Sequence, residues 1–146
     1  MDDYELIDKS IEEGKDAQFI LNCLSCIEVS FDKAIGRGCN HIVKFMIDRG
    51  YDFKKNNESA LKWAVQNGNL EVVKLLVGGG SDIHIFDDFP LLLACLGKKW
   101  DSTIEIIQFL IESGANTGLV RNRLTKREGH VCLLGMKRLE AAGLEW

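Results

Sequence analysis

Three stretches of the chain share one pattern when written in register. Ile42 to Gly50, Val72 to Gly80 and Ile106 to Gly114 each run as two apolar residues, one polar, three apolar, and a glycine at the ninth position. Each follows a shorter apolar segment that ends in alanine: Phe31 to Ala34, Leu61 to Ala64 and Leu91 to Ala94. The alanines recur every 30 residues, the mark of a tandem repeat. A unit this small cannot bury its own apolar face, so it must stack on its neighbours. The biology of such a chain belongs on its surface.

The middle unit shows the local logic. Leu61 and Ala64 fall three apart on one helical face, which Trp63 and Val65 widen. Asn67-Gly68-Asn69 stops that first helix, because glycine and asparagine accept the left-handed conformation at a helix C-terminus. A second helix turns Val72, Val73 and Leu76 inward, carries Glu71 in its first turn facing the positive end of the dipole, and ends at Gly80. Ser59 reads as an N-cap and Pro90 as a first-turn proline. Helices under about 12 residues are marginal alone in water, so tertiary stacking must hold them. Ala64 is expected where helices approach closely, and Gly78 and Gly79 mark a weak last turn.

These residues resemble the ankyrin repeat. The likeness rests on Ser59-Ala60-Leu61-Lys62-Trp63-Ala64, then Gly68-Asn69-Leu70-Glu71-Val72-Val73-Lys74-Leu75-Leu76-Val77 and Gly80-Ser81-Asp82-Ile83. Gly50-Tyr51-Asp52-Phe53 and Gly114-Ala115-Asn116 repeat the closing signature, and the likeness covers about residues 31–116. It implies an all-α, helix-turn-helix solenoid with degenerate terminal capping repeats. The expected division is one domain over 1–146: a cap at 1–30, repeats at 31–53, 54–83 and 84–116, and a cap at 117–146. The family's motif histidine is replaced by Asp32, Lys62 and Leu92. Only 14 residues separate a terminal glycine from the next alanine, so the connecting fingers are short. Short-loop units of this kind resemble those of large DNA viruses, amoebae and bacteria. The third unit spans 20 residues from Ala94 to Gly114 where the others span 16, an insertion placed at 98–101. It is expected to bulge between two helices, with Trp100 either an exposed anchor or a cover for a helix end.

The resemblance implies binding through inter-repeat turn tips and first-helix ends. Mapped onto this chain, the helix ends are Gly36, Arg37, Gln66, Asn67 and Leu96. The tips are Lys54-Lys55-Asn56-Asn57 and His84-Ile85-Phe86-Asp87-Asp88-Phe89. In the second tip Ile85 and Phe86 are rimmed by charge, one form of an interaction patch. The alternative is that Phe86 or Phe89 packs under the loop against Leu91 and Phe53.

Composition excludes several other classes. The 146 residues need no second domain, and the longest apolar runs, such as Ile104 to Ile111, fall well short of the roughly 20 residues of a membrane span. The acidic start, Met1 to Glu5, is unlike a basic leader, so a cytoplasmic protein is expected. Net charge is −4 but uneven: residues 1–30 hold eight acids against Lys9 and Lys15, while 121–138 hold six bases against Glu128. These ends read as solvated caps. No aromatic residue is interleaved with the basic run, which argues against nucleic acid.

The spacing Cys23-x-x-Cys26 with Cys39 and His41 is a weak metal pattern, and the five cysteines read as packing residues in a reducing compartment. His84 beside Asp82 reads as a turn hydrogen bond. Gly78-Gly79-Gly80 follows a helix and lacks a P-loop's lysine, and Asn57-Glu58-Ser59 is a formal sequon without a secretory signal. No nucleophile stands with a base and orienter at recognisable spacing. The expectation is a monomeric, non-catalytic protein-interaction module without cofactor or metal. It would bind and occlude a partner protein, as an adaptor or host-directed inhibitor. The competing readings are an enzyme or ligand sensor using His84 or the acidic face, and a structural oligomer joined through Ile85, Phe86 and Trp100.

Overall fold

A computed structural model describes residues 3–15, 19–20, 22–23, 31–97, 100–126 and 130–144, with the side chains at 3, 55–58, 100–101 and 130–132 outside that description. Among the described residues the chain forms no strand and nine helices of seven residues or more: α1 (Asp3–Glu12), α2 (Phe31–Arg37), α3 (Asn40–Asp48), α4 (Lys55–Asn67), α5 (Leu70–Gly78), α6 (Ile85–Leu96), α7 (Trp100–Glu112), α8 (Thr117–Thr125) and α9 (His130–Ala141). The first helices α2, α4 and α6 pack in one row and the second helices α3, α5 and α7 in another. Helix α1 extends the second row against α3, while α9 closes the far end across α6, α7 and α8. The stack shares one continuous core running from Tyr4 to Leu139. The all-α repeat solenoid expected from the sequence is what forms.

The small alanines Ala34, Ala64 and Ala94 are fully buried, and so are Val72, Val73 and Leu76 of the amphipathic run. Gly68 ends α4 at φ 71, and Asn69 starts α5 by accepting the Val72 N–H on its side-chain oxygen at 3.2 Å. The Asn69 amide also donates to Asn40 Oδ1 at 2.9 Å, tying the helix-helix turn of one unit to the next. Helix α3 lacks a side-chain cap of its own, since Cys39 stands at its N-cap. Its cap comes from α1 instead: Asp8 Oδ1 accepts the Ile42 N–H at 2.9 Å and Oδ2 lies 3.0 Å from His41 Nδ1.

Several local expectations are corrected. Ser59 is not an N-cap, because α4 begins at Lys55, four residues earlier. The same early start places Lys55, Asn56 and Asn57 in the first helical turn and not on an open tip. The insertion does not bulge over its described part. Helix α7 has 13 residues where α3 and α5 have 9, so four added residues are absorbed as about one extra turn. Lys98 and Lys99 lie outside the described residues. Trp63, read as part of the buried face, is 50 % exposed.

Candidate functional site

The tip that precedes the third unit has an unusual backbone. Helix α6 opens on a left-handed turn in which Phe86, Asp87 and Asp88 have φ of 50, 56 and 56. No other non-glycine among the described residues has a positive φ. Each L-residue in that conformation costs roughly 1–2 kcal/mol, because its Cβ crowds the following carbonyl. Right-handed helix begins only after Asp88, which puts Pro90 in its first turn, where a missing amide costs nothing.

Neighbouring side chains offset that strain. Arg123, reaching from α8, donates through Nη1 to the carbonyls of Phe86 at 2.9 Å and Asp87 at 3.0 Å. Asp88 is 2 % exposed, and its Oδ1 accepts the Asn116 N–H at 2.9 Å while lying 2.9 Å from His84 Nδ1. Asn116 in turn caps α8 by accepting the Leu119 N–H at 3.1 Å. Tip, cap and α8 therefore form one closed hydrogen-bonded circuit. What the circuit leaves outside is the Phe86 ring, 56 % exposed, with the Lys62 ammonium 5.7 Å from its centroid. Such a cation over a ring is attracted by its quadrupole.

The expected site residues divide accordingly. Phe86 and Asp87 are exposed, Ile85 is half-buried, and His84 is largely exposed with its ring turned to Asp88 and its N–H bonded to Asp82 at 2.8 Å. Asp88 is corrected from a surface contact to a buried structural acceptor, because the left-handed turn points it inward. Phe89 is half-buried under the Arg123 guanidinium. Lys54 is exposed and lies against Gly80, and the side chains of Lys55, Asn56, Asn57 and Trp100 lie outside the described residues.

At the opposite end of the first helices, Arg37 and Asn67 meet in an open cleft of about 440 Å³ lined also by Asn69, Glu71 and Glu105. A second cleft of about 330 Å³ lies on the other side of Arg37, against Glu5, Asp8 and Glu12 of α1. Arg37 sits 4.7 Å over the Tyr4 ring. Gln66 is exposed and Leu96 half-buried. Asn67 is turned back on its helix, donating to the Trp63 carbonyl at 2.9 Å.

Trp63 is the surface residue that the sequence reading missed. The register held a signal: its counterparts one unit either way are Lys33 and Leu93, and a position occupied by lysine in one unit is not a core position.

Cys39 and Cys95 are buried, and burial pushes both thiols up, Cys95 to about 12. Such thiols are poor nucleophiles and poor metal ligands. Cys26 and the side chain of Cys132 fall outside what is described of the chain. Among the described residues no three His, Cys, Asp or Glu side chains cluster as a metal site would require, and no helix is long and apolar enough to cross a membrane.

With two rows of helices and a tip between units in place, the family model for ankyrin repeats, three copies, matches residues 3–87 and again 33–121. The chain belongs to the ankyrin-repeat family. Ankyrin repeats make it a protein–protein interaction module. The chain is similar to the human protein named protein phosphatase 1 regulatory subunit 27, 46 % identical over 61 residues, which cover 40 % of this chain and 37 % of that protein. It is also similar to the mouse B-cell lymphoma 3 protein homolog, 28 % identical over 92 residues, covering 59 % of this chain and 20 % of the relative. The matched part is thus a minor share of each relative's length. No solved structure matches the ankyrin chain significantly.

Proposed function

We propose that this chain is a non-catalytic adaptor that docks a partner protein on the Phe86 tip and the exposed side of the first helices, and acts by covering part of that partner. The observation that carries the reading is the strained tip. Three left-handed residues are held by Arg123 and Asp88 so that one aromatic ring stands half in solvent, and a fold keeps such strain where the surroundings over-determine it. A ring fixed in advance avoids the ordering cost of about 0.5–1.5 kcal/mol that a mobile side chain incurs on binding. Trp63 on α4 adds a second large aromatic surface next in sequence to Lys62, which itself overlies Phe86. Trp and other aromatic side chains are the usual anchors of protein interfaces.

Arg37, Gln66 and Asn67 would contribute a polar margin and Asp87 a charged rim. The action assigned is occlusion in the cytoplasm, as a regulator of the cell's own partner or of a host's. The name of one relative, a phosphatase regulatory subunit, is in keeping with a regulatory role. Affinity capture from the native cell or host, comparing the natural chain with Trp63→Ala/Phe86→Ala, tests the reading. Loss of a specific captured protein supports it. Equal capture by both forms removes the tip and α4 from the interface.

A further inference from the structure

Arg123 is only partly used by the tip it clamps. Its Nη1 donates to the carbonyls of Phe86 and Asp87, and its guanidinium lies 6.0 Å over the Phe89 ring, so the group is fixed from two sides. A guanidinium has five N–H donors, and these two bonds take the pair on Nη1. The three on Nη2 and Nε have no acceptor among the described residues, and they are not buried. That remaining edge of the fork is one that matches the two oxygens of a carboxylate.

The positive charge is as open as the edge. Both acceptors at Nη1 are neutral carbonyls, so no ion pair cancels it. The same holds for Lys62, whose ammonium lies 5.7 Å from the Phe86 centroid and pairs with no carboxylate among the described residues. Three acids lie close by in sequence. Asp82 accepts the His84 N–H, and Asp88 is buried and bonded to the Asn116 N–H beside the His84 ring. Asp87 is exposed, and its carboxylate pairs with neither cation.

The exposed Phe86 ring thus stands between two unneutralised cations held in fixed places. Any partner that covers the ring also draws both cations out of water. A charge taken from water without a partner is costly, and a hydrogen-bonded ion of opposite sign offsets that cost. A neutral or basic surface would leave both unpaired, while like charges brought together would be repelled.

From the docking role proposed for this tip, on which this step rests, we infer that the partner presents an acidic segment. One Asp or Glu carboxylate seats on the Nη2–Nε edge of Arg123, a second acid faces Lys62, and a large apolar side chain between them covers Phe86. Asp87 stays in solvent at the rim.

Panning a random-peptide phage library against the 146-residue chain, followed by fluorescence anisotropy on the best sequences as synthetic peptides, tests this. Enriched peptides should carry Asp or Glu on both sides of an aliphatic or aromatic residue. Changing those acids to Asn and Gln alters nothing in the protein, and should raise the dissociation constant about tenfold, equivalent to about 1.4 kcal/mol. Phe86→Ala and Lys62→Gln should each weaken binding, and neither side chain bonds the tip backbone. Lys62→Glu should recover affinity for a peptide whose second acid is changed to Lys. A library without binders, or one that enriches neutral or basic peptides, overturns the inference. Peptides lost on Phe86→Ala but indifferent to the removal of their acids also overturn it, while leaving the docking role of the tip in place. Binding that Phe86→Ala and Lys62→Gln both leave unchanged removes the two together.

Discussion

Arg138 Nη1 donates to the carbonyl oxygen of Cys95 at 2.7 Å, joining residues 43 apart in sequence. That carbonyl belongs to the last turn of α6, where helix carbonyls have no partner of their own and a positive charge meets the negative end of the dipole. Arg138 is 1 % exposed, so the C-terminal cap is pinned to the third unit by a buried charged bond as well as by apolar packing.

Replacing this side chain by one of similar length without donors, Arg138→Met, leaves the Cys95 carbonyl buried and unbonded. The expected loss is about 1–3 kcal/mol, the usual cost of an unsatisfied buried polar group. It would be read as a lower urea midpoint. A midpoint equal to or above the natural one would mean that desolvation of the guanidinium outweighs its bond, as happens for some buried ions replaced by apolar side chains.

Arg138 also shows what the sequence could and could not disclose. The repeat spacing, the alanines and the Asn67-Gly68-Asn69 stop were all legible, because they follow from local periodicity and backbone preference, and the two-row stack forms as they imply. The resemblance named the class of the surface. Arg138 was counted among solvated bases, since nothing within its own helix reveals that α9 crosses the end of α6. Asp88 misled for the same reason: its carboxylate looks like tip charge until Asn116, 28 residues on, is brought beside it. Long-range polar pairing leaves no period in a sequence, so it appears only when the chain is folded.

Adjacent glycines at the end of α5 should respond in opposite directions. Gly78 is helical with no atom within 4 Å of where a Cβ would stand, so Gly78→Ala should stabilise by up to about 1 kcal/mol. At Gly79 a Cβ would come 2.7 Å from Phe53 Cζ, and Phe53 is itself stacked in a row with Phe31. Gly79→Ala must displace that ring and should lower the thermal midpoint. Equal shifts of one sign for both variants would contradict this account of the turn.

Ala64 has no exposed surface and lies in the row where α2, α4 and α6 pack on each other. Ala64→Leu adds three carbon atoms to a filled contact and should cost roughly 1–3 kcal/mol through forced backbone shifts. The check is a denaturant titration, in which an unchanged midpoint would show that the rows are not closely packed there.

Asp88→Ala removes the acceptor shared by the Asn116 amide and the facing His84 ring, and with it one side of the clamp on the left-handed turn. A loss of about 1 kcal/mol is expected from the lost, partly buried bond to the Asn116 N–H. The tip should also relax, which fast amide exchange at residues 85–88 would report. Arg123→Ala should loosen the same four amides while leaving exchange in α2 and α3 unchanged, since its two bonds end on Phe86 and Asp87. Uniform acceleration across the chain would instead point to global destabilisation.

The last expectation concerns alkaline pH. Burial is the main cause that lifts the Cys95 thiol from 9.0 to about 12, with the Arg138 charge acting in the opposite direction. Between those values the unfolded chain has released this proton and the folded chain still holds it. Stability is therefore complete below about pH 9 and falls as pH rises toward 12, by up to about 1.4 kcal/mol per pH unit from this one group. Cys39 is raised in the same direction, by burial first and then by the negative charge of Asp8, and adds to the slope. Urea midpoints measured for the natural chain and for Cys95→Ala at a series of pH values above neutrality isolate the Cys95 share. The two curves should be parallel near neutral pH and converge as pH climbs above about 9, where the linkage begins to act. Curves that stay parallel throughout would show that the thiol titrates as it does in the unfolded chain, and that the α6–α9 contact admits water.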